Sequence, residues 1–514
     1  MEELRGARRA CTGAGQARWF GGLLLLTVAA VPAVAQSVPY QSSQRSQYGV
    51  ASPVESLPRG GTFLPRLDGA VQYADNLALT DDPALQVSSG GLELSPGFYA
   101  SYGGDRLQGA VDYSLIGRAW EESDFDDITH RLAANGRWTA VPDLFYLDGS
   151  AGYFDSVIDP RVGMNSGGTG LLGADNLAET ATAMLTPTLK KRFNDFEFSA
   201  LYSYGRVWYL DLDDATTSTI NQDFEDSTDQ FARAAFGTAE TDRSLTGQVF
   251  YEWTKSEFEE SQDYRYDRLG FDGGWQFADT LTLVGDVGVE SALDEDTSSG
   301  GLDDDFWSAG LRWVPSANTS AEARVGQRFF GDSYSVAIEH RARALLIEAS
   351  YSEEPTVESF RVGSTEFKPG QLPPSNPGTE PGRVSSDPFV AKDARLVLTA
   401  NGSRTLIRAT VYDTERNYLT GSLSDETTIG GSLSATRQFA ANFSGDVQAT
   451  YQDTETEAAL AQDTDHTYQT QAILRLNHRT SRTITTSLEG GYYNQGGTLA
   501  YDGWWVALRA RYQP

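Results

Sequence analysis

The chain has 514 residues and carries 71 Asp and Glu against 40 Lys and Arg, a formal net charge of −31. That balance excludes nucleic-acid binding, which needs a basic face, and a single cysteine, Cys11, excludes a disulfide framework, a cysteine zinc cluster and a catalytic thiol further along. Acidity alone can mark disorder, but 24 Tyr, 24 Phe and 10 Trp supply apolar surface that must be buried or face lipid.

The first element is a leader. Arg5, Arg8, Arg9 and Arg18 flank an apolar run from Trp19 to Ala30, and Ala33-Val34-Ala35 offers the small residues a signal peptidase accepts. Cleavage is expected between Ala35 and Gln36. The run is too short for a spanning anchor, which needs about 20 residues. Residues 36–66 are rich in Ser, Gln and Pro and read as a flexible periplasmic lead-in.

From residue 67 to 514 the period is two. Leu107, Gly109, Val111, Tyr113, Leu115, Gly117 and Ala119 fall on one face, with Arg106, Gln108, Asp112, Ser114 and Arg118 on the other. The pattern returns at 245–254, 281–290, 321–329 and 443–452, and some 22 such segments run to residue 513. They are too long for a soluble sandwich, where about 5–6 residues is usual, and long enough to cross a bilayer on a tilt. No apolar run approaches a spanning helix after the leader.

Short connections, such as Gly103-Gly104 and Gly402-Ser403, alternate with long ones at 120–126, 155–178, 210–225, 257–262, 294–302, 354–390 and 454–463. This is the arrangement of tight periplasmic turns and long external loops, broken only by a tight turn at Gly331-Asp332-Ser333 on the external side. The expected fold is all-β, a transmembrane antiparallel outer-membrane β-barrel of about 22 strands (18 to 22). The last strand alternates Trp504, Val506, Leu508, Ala510 and Tyr512 outward, which resembles the signal read by the barrel-assembly machinery. Tryptophans such as Trp120, Trp138, Trp208 and Trp313 stand near strand ends, as interfacial girdles do.

Three stretches carry a family resemblance: YADNLAL at Tyr73 to Leu79, LSPGFYASYGGDRLQGAVDYSL at Leu94 to Leu115, and GQRFFGDSYSVAIEHRARALLIEASYSEE at Gly326 to Glu354. SDPFVAK at Ser386 to Lys392 fits as well. They resemble the outer-membrane β-barrel proteins associated with PEP-CTERM/exosortase exopolysaccharide systems, with the RFFGDSYS hairpin the most specific part. The resemblance implies an outer-membrane location and a link to exopolysaccharide production and surface protein sorting. It brings no catalytic residues with it.

Candidate site residues fall into three groups. The external loops are acidic, with Asp124, Asp126 and Asp127 in one cluster and Asp303, Asp304 and Asp305 in another; carboxylates suit surface-bound Ca²⁺ or Mg²⁺, against the plainer reading of a solvated rim. The inward face carries Arg106, Arg118, Arg324, Arg328, Arg408 and Arg475 opposite Asp112, Glu252, Asp286, Glu290, Glu322 and Asp446. That is either a polar track for a carbohydrate chain or a set of cross-strand ion pairs in a wet lumen. Loop 354–390, with seven prolines from Pro355 to Pro388, is expected to fold inward as a constriction, or else to remain a mobile external loop.

Only His130, His340, His466 and His478 offer imidazoles, and no triad, phosphate loop, cofactor motif or metal-ligand spacing is visible. The sequence therefore reads as a non-enzymatic outer-membrane barrel serving exopolysaccharide export or envelope assembly, with a pore as its most direct mode. Lipid, lipopolysaccharide, the assembly machinery and export proteins are the partners this reading implies. The alternatives are a structural or adhesive barrel with a closed lumen, and an outer-membrane hydrolase.

Overall fold

The computed structural model describes residues 57, 59–157, 177–210, 225–238, 244–259, 261–293, 302–363, 385–420, 423–456, 465–497 and 500–514. The leader and its Ala35/Gln36 junction lie outside them. Strict alternation of apolar and polar residues suits an extended chain with one face in each environment, and 22 strands form.

In chain order they open with β1 (Gly60–Ala74), β2 (Ser89–Gly103), β3 (Leu107–Trp120), β4 (Asp127–Val141) and β5 (Phe145–Val157). Next come β6 (Leu177–Phe193), β7 (Phe196–Leu210), β8 (Ser227–Thr238), β9 (Leu245–Phe258), β10 (Tyr264–Ala278) and β11 (Leu281–Ala292). Then follow β12 (Leu302–Ser316), β13 (Thr319–Arg328), β14 (Gly331–Arg341), β15 (Leu345–Thr356) and β16 (Phe389–Asn401). The last are β17 (Thr405–Tyr418), β18 (Glu426–Ala440), β19 (Phe443–Thr456), β20 (Asp465–Arg479), β21 (Ile484–Gly497) and β22 (Tyr501–Tyr512). A short helix, α1 (Glu358–Gly363), stands between β15 and β16. Among the described residues no helix is long and apolar enough to cross a membrane.

Each strand pairs antiparallel with its neighbours in sequence, and residues 67–74 of β1 pair with 505–512 of β22 to close the sheet. Closure answers the solvent: an open edge in hydrocarbon would leave backbone groups unpaired at several kcal/mol each. The burial pattern is inside out. Leu67, Val71, Leu92, Val287, Trp313 and Leu508 are exposed on the outer wall, while charged and hydroxyl side chains dominate the buried positions within. An apolar exterior, a polar interior and a closed antiparallel ladder place the chain in a bacterial outer membrane.

Several sequence expectations shift in detail. β1 begins at Gly60, so the end of the expected lead-in is part of the wall. The tight external turn is Phe329-Phe330, with Gly331 at φ +117° beginning β14, two residues earlier than the expected turn. Only glycine adopts that backbone without strain. Trp120 is not in the outer girdle. It is buried on the lumen side among Leu77, Tyr493, Tyr501 and Trp505, whereas Trp138 and Trp313 do face outward.

Prolines mark where the ladder lapses. Pro96 pairs with Leu67 on one side, but β2–β3 pairing is missing at that point; Pro187 pairs with Leu147 while β6–β7 pairing is missing there. In each case the absent N–H faces the broken side.

Candidate functional site

The lumen wall is built from residues that alternate with the lipid-facing set, so their positions follow from parity. Arg66 and Asp112 form a two-pronged pair, at 3.0 and 2.5 Å, with Asp112 only 2% exposed. Arg118 bonds Glu93 at 3.4 Å and Asp127 at 2.9 Å. Arg509 also meets Glu93, reaching across Ala70, and lies 3.6 Å from Glu489, which Arg475 contacts at 3.1 Å. A second cluster joins Arg268 to Asp286 at 2.6 Å, and Arg324 to Glu322, Asp272 and Asp286 at 2.6, 3.3 and 3.3 Å. Arg328 bonds Glu290 at 3.0 Å, Glu354 at 2.8 Å and the Tyr266 hydroxyl at 2.6 Å. Glu252 meets Arg233 at 3.4 Å. Asp446 accepts from Thr436 and Asn477, both at 2.7 Å.

The structure thus brings together most of the charged residues read as inward-facing, and joins them as cross-strand pairs. Arg106 is the correction: it lies in the exposed turn between β2 and β3, because the strand does not begin until Leu107. Arg408 shares the parity of buried Thr410 and Thr414, yet is exposed near the short-turn end. Alternation alone did not reveal Arg66, Glu93, Arg268, Glu489 and Arg509 as partners. Their signal was present, since Arg509 and Arg511 alternate with Leu508 and Ala510, but the pairing depends on register.

The acidic loop clusters do not converge. Asp126 accepts from the Trp120 N–H at 2.7 Å, and Asp127 belongs to the Arg118 pair. Asp304 and Asp305 are successive residues of β12, so their side chains leave on opposite faces. The side chains of Asp124 and Asp303 lie outside the described set. Among the described residues no group of three His, Cys, Asp or Glu is placed to hold a metal ion. The histidines stand apart on the outer face, each with its own neighbour: His130 with Tyr113, His340 with Thr319, His466 with Asp453 and His478 with Asn442.

Two external segments fold inward over the mouth. In the first, residues 75–88, Asn76 is 2% exposed; its amide donates to the carbonyls of Thr80 and Asp502, and its own carbonyl accepts from the Tyr493 hydroxyl. This is what the YADNLAL run does: Leu77 and Asn76 pin the loop to the inner wall beside β21 and β22. The second segment is residues 357–363. Val357 and Phe360 pack with Phe231, Tyr264, Tyr266, Ala292 and Leu293, and Val362 packs with Ala133, Phe154 and Val207. On the other side Glu358 bonds Arg416 at 3.1 Å and Arg361 approaches Asp393 at 3.5 Å. Ser359 donates to Asp229 at 2.8 Å. Helix α1 therefore bridges facing parts of the inner wall as a crossbar, held by β16 and β17 on one side and by strands between β4 and β11 on the other. The rest of the expected constriction, residues 364–384, lies outside the described set.

Neither a family model nor a curated protein matches the chain. Among solved structures, a variant of the FrpB iron transporter from Neisseria meningitidis is similar at 10% identity and a TM-score of 0.49, over 89% of this chain and 82% of that one. A mutant of the ferric enterobactin receptor of Pseudomonas aeruginosa gives 11% identity and 0.48, over 89% and 82%. The siderophore receptor PirA from Acinetobacter baumannii gives 9% and 0.47, over 89% and 81%. None of these likenesses bears on what this chain carries.

Proposed function

We propose that the chain is a non-enzymatic, gated outer-membrane pore that passes a hydrophilic polymer or its precursors, in the setting of exopolysaccharide export or envelope assembly. The observation that carries this reading is the crossbar: a helix buried inside a polar lumen, fastened on two sides by side chains instead of by the wall's backbone ladder. A lumen lined by paired charges and by Gln469, Gln495, Thr428 and Thr454 offers hydrogen bonds to sugar hydroxyls. The exopolysaccharide setting rests on the resemblance of the Gly326 to Glu354 run. Assembly by the machinery that reads C-terminal strands rests on the alternation of β22, and lipopolysaccharide is the lipid its outer wall would meet.

Deleting residues 356–387 removes α1 and should raise single-channel conductance in planar bilayers, with faster sugar flux in liposome swelling. Unchanged conductance, with no flux before or after deletion, would refute the pore and favour a structural barrel whose mouth is permanently filled.

A further inference from the structure

The wall is not hydrogen-bonded over its full height between β14 and β15. Pairing runs from Arg341↔Leu346 to Val336↔Tyr351 and stops, although β14 remains paired to β13 up to Gly331 and β15 to β16 up to Thr356. Residues 331–335 and 352–356 thus line a fork about 17 Å long, at ~3.4 Å per residue. The paired stretch below, tilted by about 40°, puts the base of the fork roughly 16 Å above the short turns, inside an apolar band about 25 Å tall.

Unpaired backbone groups at that depth are costly, and the Glu353 side chain takes the place of one missing rung. It is 5% exposed, and its carboxylate accepts from the Tyr334 N–H at 3.0 Å and from the Tyr351 hydroxyl. Continued register would have placed the Glu353 backbone carbonyl opposite Tyr334; a side chain stands there instead. Behind it, on the lumen side, Arg328 reaches the Glu353 carbonyl at 3.4 Å while bonding Glu290 and Glu354. Every one of these residues except Glu290 belongs to the Gly326 to Glu354 run, the most distinctive stretch of the sequence.

A comparable fork at β4–β5, where pairing ends at Leu132↔Tyr153, is sealed differently. Ala133 and Phe154 pack with Val362 on its lumen side, and the His130 ring meets Tyr153 outside. At β14–β15, among the described residues, no buried apolar cluster includes a residue of either open edge.

We infer that the β14–β15 fork is a side port through the barrel wall, leading from the lumen to outer-leaflet lipid, with Glu353 as its latch. The substrate class it suits is an amphipathic molecule. An apolar chain would lie in the bilayer between Tyr334 and Tyr351, and a polar headgroup would engage the Arg328, Glu290 and Glu354 cluster inside. A headgroup that hydrogen-bonds Glu353 or Arg328 replaces the bonds that hold the fork shut, which a continuous backbone ladder would not permit. This route is separate from conduction along the barrel axis and does not require it.

The test is photocrosslinking in native outer membranes with the full chain. p-Benzoylphenylalanine is placed at position 335, where Ser335 is opposite Arg324 and so faces the lumen, and separately at Thr410, which faces the lumen from a fully paired part of the wall. With radiolabelled lipopolysaccharide, position 335 should give several-fold more lipid adduct than position 410, and Glu353→Ala should increase it further. Equal lipid labelling at the two positions, with and without Glu353→Ala, overturns the port, as does crosslinking at position 335 to polypeptide in place of lipid. If Glu353→Ala fails to assemble, the comparison of positions 335 and 410 in the otherwise native chain still decides the matter.

Discussion

On the lumen side of the wall, Phe250, Gly270, Gly288 and Phe306 follow one another in register across β9, β10, β11 and β12. The two rings occupy the space over the two glycines. A Cβ on Gly288 would meet the Leu269 carbonyl at 2.1 Å and the Phe306 ring at 2.7 Å. Arg268 lies 4.0 Å above the Phe306 ring and 5.3 Å from that of Phe250, so the guanidinium completes the stack. Gly288→Ala should therefore destabilise the barrel by about 1–3 kcal/mol, the usual cost of overpacking, seen as a lower urea midpoint for the detergent-solubilised protein. Gly69→Ala is the control: its nearest neighbour would be 3.8 Å away, and the midpoint should hold. All four residues lie in segments that the sequence marks as strands, although the two aromatic rings interrupt the polar face there. Which glycine lies under which ring was not, because strand register is a property of pairs of strands.

Helix α1 shows what happens where the alternation ends. Pro355 and Thr356 still pair with β16, but Val357 and Phe360, three residues apart, form an apolar patch suited to a single helical turn. Burial holds the Glu358 carboxyl above its ordinary pKa; Arg416 and Arg361 oppose the shift, while Glu426 and Asp393 add to it. The docked helix thus binds that proton more tightly than the released segment does. The contribution of protonated Glu358 to docking is present in full below the ordinary carboxylate value and is lost as pH rises through the docked value. Acidification should therefore tighten the crossbar and reduce conductance, and Glu358→Gln should flatten this part of the profile. A native pH profile identical to that of Glu358→Gln would rule the mechanism out. The width of a 22-strand barrel did suggest that loop 354–390 folds inward, but nothing in the linear chain identified the anchors Arg416, Asp393 and Asp229.

At its lower end β1 runs past the closing strand. Asp75 donates its N–H to Trp504, so the odd-numbered residues of β1 point their amides toward β22. Pro65 therefore places its missing N–H on the side that β22 has left at Tyr512, which blunts an edge that would otherwise recruit another strand.

For the whole molecule the decisive contact is the closure between β1 and β22. Ala70 is opposite both Arg509 and Glu93, and its small side chain lets the arginine cross β1 to the carboxylate, stitching three strands on the lumen side. Glu93→Leu would leave Arg118 to Asp127 and Arg509 to Glu489 at 3.6 Å. Loss of one member of such a buried set costs on the order of 3–5 kcal/mol. The folded, fast-migrating form should then convert to the slow form at a lower temperature during electrophoresis. Conversion at the native temperature would show that backbone pairing alone secures the seam.

The amino-acid sequence by itself determined the alternation of lipid-facing and lumen-facing residues along most of the strands, a strand count of 18 to 22, and the closed all-β architecture. It could do so because each of these follows from a local rule applied residue by residue: side chains alternate, and a lipid-facing backbone must be paired. Only the tertiary structure decided that Arg509 meets Glu93 across 416 residues, that Trp120 turns inward, that α1 bars the mouth and that the wall forks beside Glu353. Those depend on register and on loops meeting distant strands, and a period of two carries no information about either.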